Sequence, residues 1–233
     1  MMDKGQLLES IKGGLIVSCQ AQKGSPMYGT DIMVAFAAAA KQGGAVGIRA
    51  TEPQNIRAIK QAVHLPIIGI YKQWHQGYEV YITPTFESAK AIIESGADIV
   101  ALDGTKRPRP DHQDLQEIIL NIHTKFPDVP VMADCDNLES GRYAENCGAD
   151  IVSTTLSGYT ENTKGADKIN FQLIRDMHDT LNVPIIAEGH IVDIRDAVNA
   201  YKSGAFSIVI GSAITRPEFI TGNFVQAIHE YRH

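Results

Sequence analysis

Val183-Pro184-Ile185-Ile186-Ala187-Glu188-Gly189-His190, then Ser203-Gly204-Ala205 and Ser207-Ile208-Val209-Ile210-Gly211-Ser212-Ala213-Ile214-Thr215-Arg216-Pro217, hold two successive strand-and-turn units separated by one helix-length of chain. The first strand is led by proline and ends in a carboxylate and a glycine. The second is led by Ser-Gly-Ala and ends in Gly-Ser, with an arginine just beyond. Both kinds of entry recur upstream. Gln42-Gly43-Gly44-Ala45, Ser95-Gly96-Ala97-Asp98 and Cys147-Gly148-Ala149-Asp150 match Ser203-Gly204-Ala205, at intervals of roughly 50–55 residues. Each follows a helical stretch and precedes a β-branched strand, because glycine ends a helix in the left-handed conformation. Leu65-Pro66-Ile67-Ile68 and Val129-Pro130-Val131-Met132 match Val183-Pro184-Ile185-Ile186. With the first strand, Leu15 to Gln20, this makes about eight strands, each followed by a helix. Alternating strands and helices imply a parallel sheet, and eight imply a closed (β/α)8 barrel, an α/β fold in one domain over 1–233. An open doubly wound sheet would want an early GxGxxG, which the chain lacks.

Size and composition agree. The 233 residues are 44% hydrophobic and 21% charged, enough for a large core. The formal net charge of −6 argues against a general nucleic-acid binder, so an anionic ligand must be held by local donors. Cys19, Cys135 and Cys147 form no CxxC, and the N-terminus, Met1-Met2-Asp3-Lys4-Gly5, lacks the apolar core of a signal peptide. No run approaches the ~20 apolar residues of a membrane span. A reduced, cytoplasmic chain with no membrane partner is the expectation. The eight histidines are scattered with no HxH pair, so no metal site is expected.

The helix Leu7-Leu8-Ile11 is read as the barrel floor. Three helix starts are expected: a capping box at Thr51-Glu52-Pro53-Gln54, Thr83-Pro84, and Thr215-x-x-Glu218. In the last helix Phe219, Ile220, Phe224 and Ile228 are expected to pack inward. Leu156 to Asp167 is a Gly/Ser/Thr-rich loop of lid character.

Alternation along each strand selects the side chains that enter the barrel. Counting back from the strand ends places Gln20, Arg49, Lys72, Asp103, Asp134 and Glu188 above small or apolar same-face partners. Barrel active sites lie at the C-terminal strand ends, so Gln20, Arg49, Lys72, Asp134 and Glu188 should converge on one pocket. Lys72 is expected to hydrogen-bond Asp134 while burial lowers its pKa, leaving an amine able to take a carbon-bound proton. Glu188 supplies acid/base or hydrogen-bonding work from another side, and Arg49 and Gln20 hold a carbonyl or enolate oxygen. Gly189 and Gly211 let backbone N–H groups approach an anion, with helix starts expected just beyond each turn, which suits a phosphate monoester. His190 lies in that turn, as a ligand contact or an exposed turn residue. Cys19 and Cys135 point away from the pocket. Arg107 and Arg109 are either substrate contacts or a salt-bridged loop, and Trp74 and Tyr78 either wall the site or pad a loop.

Gly14 to Ala21, Gly47-Ile48-Arg49-Ala50, Val80-Tyr81-Ile82-Thr83-Pro84-Thr85, Ala101-Leu102-Asp103-Gly104-Thr105, Thr154 to Thr160, Ala187-Glu188-Gly189 and Gly211 to Pro217 resemble the N-acetylmannosamine-6-phosphate 2-epimerases over nearly the whole chain. The resemblance implies a TIM barrel of the ribulose-phosphate-binding type and reversible conversion of N-acetylmannosamine 6-phosphate into N-acetylglucosamine 6-phosphate. It implies a place in amino-sugar and sialic-acid catabolism, no cofactor, no metal, and a homodimer. Carried over, Lys72 and Glu188 are catalytic, and Gln20, Arg49, Asp134 and Thr155 bind the sugar. Gly189, His190, Gly211, Ser212 and Arg216 hold the phosphate. The chain departs from the family at Gln73 to Glu79, where a basic residue and an aspartate are more usual, and at Cys135-Asp136-Asn137, where Ser or Thr is usual. Rival readings are a Schiff-base aldolase or lyase on Lys72 and a non-catalytic sugar-phosphate-binding barrel. A metal-dependent pentulose-phosphate 3-epimerase is disfavoured for want of histidine ligands.

Overall fold

Eight parallel strands close on themselves in chain order in the computed structural model, which describes residues 3–232. Met1, Met2 and His233, named in the N-terminal and histidine readings above, lie outside those residues. The strands are β1 Leu15–Cys19, β2 Gly47–Thr51, β3 Ile67–Ile70, β4 Ile99–Asp103, β5 Val131–Asp134, β6 Ile151–Ser153, β7 Ile185–Glu188 and β8 Ser207–Ile210. Closure is made by β1 against β8, with Leu15 opposite Ile208 and Ile16 opposite Val209. The helices are α1 Lys4–Ile11, α2 Thr30–Gln42, α3 Pro53–Val63, α4 Phe86–Glu94, α5 Leu115–Lys125, α6 Leu138–Asn146, α7 Phe171–Thr180, α8 Ile194–Lys202, α9 Ser212–Thr215 and α10 Pro217–Tyr231.

The repeating glycines do what their spacing predicts. Gly44, Gly96, Gly148 and Gly204 take φ of 92°, 102°, 98° and 97°, a region that side chains with a Cβ rarely adopt, and each turns a helix end into the next strand.

Alternation sorts the strand residues into two apolar layers. Ile16, Ile68, Ile70, Ala101, Met132 and Ile186 fill the barrel interior, closed at the floor by Leu7 and Ile11 of α1. Val17, Cys19, Ile48, Ala50, Val100, Leu102, Ala133 and Cys135 face the helices instead. Burial in that outer layer pushes the Cys19 thiol up to about 12, so it behaves as a packing residue.

Local details correct several expectations. β2 runs two residues past Arg49, so Thr51 is in the strand and Glu52, at φ 72°, is the N-cap of α3 without a side-chain cap bond. No capping box forms there. Thr83 and Pro84 precede α4, whose N-cap is Thr85, accepting from the Ser88 N–H. Thr215 ends α9 and its hydroxyl donates to the Ser18 carbonyl at 2.8 Å; the N-cap of α10 is Arg216, with no side-chain cap bond. The inward packing expected of α10 is also absent. None of its residues is buried; Phe219 and Ile220 are half-buried, and Phe224 and Ile228 are 68% and 54% exposed. The apolar stripe is real, but its outer part, Phe224 and Ile228, is left facing outward.

Candidate active site

The strand ends open on a cavity of about 700 Å³. Gln20, Arg49, Lys72, Thr155 and Glu188 line it on the sugar side, and Gly189, His190, Gly211, Ser212 and Arg216 line the other. Side chains drawn from five strands or strand ends therefore meet at one mouth, as parity required.

Asp134 is the exception. It is fully buried and lies beneath the cavity, outside its wall. Arg49 Nη2 donates to Asp134 Oδ2 at 2.5 Å and Nη1 to Oδ1 at 3.1 Å, a two-pronged pair in which both side chains are sealed from water. Nη1 also donates to Glu188 Oε2 at 2.7 Å. The expected Lys72–Asp134 bond is not made, because the guanidinium, with a planar fork of donors, takes the carboxylate that the amine was assigned. Burial opposes the Arg49 charge, yet Asp134 and Glu188 outweigh it and hold the guanidinium above its ordinary value.

Hydroxyls complete the network. Ser153 Oγ donates to Asp134 Oδ1 at 2.9 Å. Thr155 Oγ1 lies 2.9 Å from Asp134 Oδ1 and 3.0 Å from Glu188 Oε2, so its one proton can serve either carboxylate. Thr154 locks the β7 end, its hydroxyl donating to the Glu188 carbonyl at 2.8 Å.

Lys72 stands apart from this network. It lies two residues beyond β3, held by an antiparallel bridge to Ile82, and its amine has no hydrogen-bond or ion-pair partner among the described residues. Burial, then the Arg49 charge, lowers its pKa to about 8 against the pull of Glu188 and Asp134. Glu188 moves the opposite way. Burial pushes its carboxyl up to about 7, with Asp134 helping, while Arg49, Thr155 and Lys72 oppose. The lysine's shift was expected in direction; its cause is burial and a neighbouring cation, with no oriented carboxylate. Gln20 Nε2 donates to Ser18 Oγ at 2.8 Å, which fixes the amide plane at the end of β1.

At the far end, α9 begins directly after Gly211, as expected. After Gly189 the expectation fails: α8 starts at Ile194 with Asp193 as its cap, and Gly189 and His190 make a turn of their own with φ of 101° and 57°. His190 is a cavity residue, its ring stacked on Tyr159 at 4.9 Å and its Nε2 3.2 Å from the Ser157 carbonyl oxygen. The loop from Leu156 to Asp167 thus contributes Leu156, Tyr159 and Asp167 to the wall.

Asp103 does not join the pocket. Thr105, Arg107 and Arg109 of its own loop surround it, Arg107 Nη2 at 2.6 Å, so these arginines are a salt-bridged loop. Trp74 stacks on Tyr81 at 5.5 Å and lies outside the cavity wall, whereas Tyr81 is in it. Both family departures have structural roles. Gln73 accepts a hydrogen bond from Ser88 Oγ at 2.5 Å, Asn137 caps α6, and Asp136 accepts from Thr160 and Ser140, pinning the base of the 156–167 loop. Tyr81, Tyr159 and Thr51 line the cavity without having been singled out as site residues. Thr51 follows from the parity that found Arg49; the tyrosines lie on irregular chain where no period applies. Among the described residues no group of three or more His, Cys, Asp or Glu is gathered as a metal site, and no helix is long and apolar enough to cross a membrane.

Known proteins resemble this chain in sequence and in fold. The family model described as "Putative N-acetylmannosamine-6-phosphate epimerase" matches residues 33–230. A protein of Caldanaerobacter subterraneus subsp. tengcongensis described as "Putative N-acetylmannosamine-6-phosphate 2-epimerase" is 46% identical over 227 residues, 97% of this chain and 96% of its own. One of the same description from Listeria welshimeri is 46% identical over 93% of each chain. The solved N-acetylmannosamine-6-phosphate 2-epimerase from Clostridium perfringens superposes with a TM-score of 0.92 at 42% identity, covering 95% of this chain and 96% of that one. A thiamine phosphate pyrophosphorylase from Pyrococcus furiosus, TM-score 0.60 at 18% identity, shares the fold alone. With its barrel closed, its strand-end side chains gathered and these relatives matched over more than nine-tenths of its length, the chain belongs to the N-acetylmannosamine-6-phosphate epimerase family.

Proposed function

We propose that this protein, acting as one barrel domain, is an isomerase that interconverts N-acetylmannosamine 6-phosphate and N-acetylglucosamine 6-phosphate by removing and returning the proton on C2. The observation that carries the reading is the pair facing the cavity: an unpartnered Lys72 amine lowered to about 8 and a Glu188 carboxyl raised to about 7. Two groups titrating near neutrality, close enough to feel each other's charge, are what two-sided proton transfer at a carbon needs.

The substrate is the ring-opened sugar, whose C1 aldehyde acidifies C2. Neutral Lys72 takes the C2 proton; the C–H bond breaks, an N–H bond forms, and the electron pair moves onto the C1 oxygen. The fixed positive charge of Arg49, with the Gln20 amide beside it, stabilises that enolate. Protonated Glu188 then gives its proton to the opposite face of C2. In the other direction Glu188 is the base and the Lys72 ammonium the acid. Asp134 is a positioning residue: it holds Arg49 and Thr155 from below and does not touch the sugar. N–H groups at Gly189 and at Gly211-Ser212, with His190 and Arg216, hold the phosphate. No cofactor enters, since inversion beside a carbonyl changes no oxidation state.

Incubation with N-acetylmannosamine 6-phosphate in heavy water tests this directly. Deuterium appears at C2 of the product, and product formed without it overturns the mechanism. The reaction belongs to amino-sugar catabolism, sialic-acid breakdown included, and a reduced cytoplasm suits the three unpaired cysteines. The exposed stripe of Phe224, Val225, Ile228 and Tyr231 on α10 supports a homodimer. Light scattering at tens of micromolar chain reads this, and a monomer there refutes it.

A further inference from the structure

At the phosphate end, the one arginine in the cavity wall beyond β8 already has an anion. Arg216 Nε donates to Glu218 Oε1 at 2.9 Å, and both residues line the cavity with Gly189, Gly211 and Ser212. Among the described residues Glu218 is the sole ion-pair partner of Arg216. The guanidinium is near enough to act on the Tyr159 hydroxyl electrostatically, and Tyr159 stacks on His190, so the pair reaches toward the turn after β7. Backbone geometry keeps it there. Arg216 is the hinge between α9 and α10, Pro217 fixes the next φ, and Glu218 lies in the first turn of α10.

The pair is held weakly. Its side chains are 51% and 40% exposed, and ion pairs in such settings contribute at most about 1 kcal/mol. A phosphate dianion offers a guanidinium twice the charge of a carboxylate, and it can take two bonds where Glu218 takes only the one from Nε, so it displaces Glu218. A neutral sugar has nothing to put in its place.

We propose that Glu218 tunes the site's affinity for a phosphate monoester by competition: without ligand its carboxylate occupies Arg216, and it yields the guanidinium to a dianion. This rests on the assignment of Arg216 to the phosphate. It has a cost in affinity, because the displaced carboxylate stays close to the bound dianion and repels it.

Calorimetric titration of inorganic phosphate into the wild-type chain, Glu218→Gln, Arg216→Gln and the double variant tests the proposal without reference to turnover. Glu218→Gln binds phosphate about three- to tenfold tighter, the range for losing one exposed competitor and one like charge. In the Arg216→Gln background the same change moves affinity less than about twofold, because the competition is then gone. Unchanged or weaker binding in Glu218→Gln overturns the proposal. So does an equal gain with and without Arg216, which would make Glu218 merely one more negative charge. If Arg216→Gln alone leaves phosphate affinity untouched, the phosphate assignment falls and the proposal with it.

Discussion

Asp134→Asn removes the charge beneath Arg49 and keeps the side-chain volume. The pair it breaks is 1% and 0% exposed, so the guanidinium cannot turn to water for a replacement. Removing one partner of such a pair costs about 3–5 kcal/mol. Here the lower end applies, because Glu188 Oε2 stays 2.7 Å from Nη1 as a remaining counter-charge and the asparagine carbonyl still accepts one bond. About 3 kcal/mol in a chain of 233 residues lowers the melting temperature by roughly 6–12 °C. Scanning calorimetry at pH 7 reads it. The charge of Asp134 also raises the pKa of both Lys72 and Glu188, so the variant's pH optimum moves to lower pH. A companion variant separates stability from chemistry: Arg49→Met with Asp134→Leu replaces the pair by apolar side chains, regains most of the lost stability, and stays inactive. An Asp134→Asn melting point within about 2 °C of wild type would refute the claim that this buried pair holds the centre of the site together.

Lys72→Met removes the amine while keeping a similar stem, and turnover falls by about 10²–10⁴-fold together with C2 exchange, measured by proton NMR in heavy water. Substrate-dependent trapping of wild-type Lys72 by borohydride would instead establish the aldolase reading. The pH profile of kcat/KM is bell-shaped with limbs near about 7 and about 8. Below the first limb both groups carry protons and no base is present; above the second neither does and no acid is present. Because both directions use the pair with one proton between them, the forward and reverse profiles share one optimum, and separate optima would break the two-group scheme. Gly204→Ala places a Cβ at φ 97° and 2.5 Å from His178 Cγ, so urea unfolding shows a loss of more than about 1 kcal/mol, relieved in part by His178→Ala.

Signals that live within one element were legible in advance. The helix-ending glycines act through their own φ, so four of them at even spacing announced the repeat and with it the barrel. A strand's period of two is equally local, and it named Arg49, Glu188 and the inward isoleucines, and set Cys19 and Cys135 outside, without knowledge of a neighbour. The helix caps failed for a related reason. Thr51 and Thr215 carry the right residue types, but β2 continues through one and the Ser18 carbonyl claims the other. A cap depends on where an adjoining element stops.

What sequence could not rank was competition between residues far apart in the chain. Lys72 and Arg49 are equally eligible partners for Asp134 on paper. The closed sheet places the guanidinium fork 2.5 Å from that carboxylate and leaves the amine alone. The same holds for α10: its apolar stripe is written in residues 219, 220, 224 and 228, whereas the exposure of Phe224 and Ile228 depends on where the fold sets the helix. Periodicity therefore determined which side chains face inward and the order in which strands close. The tertiary structure decided which of those side chains bind one another, because pairing depends on register and distance between strands, quantities that no single segment contains.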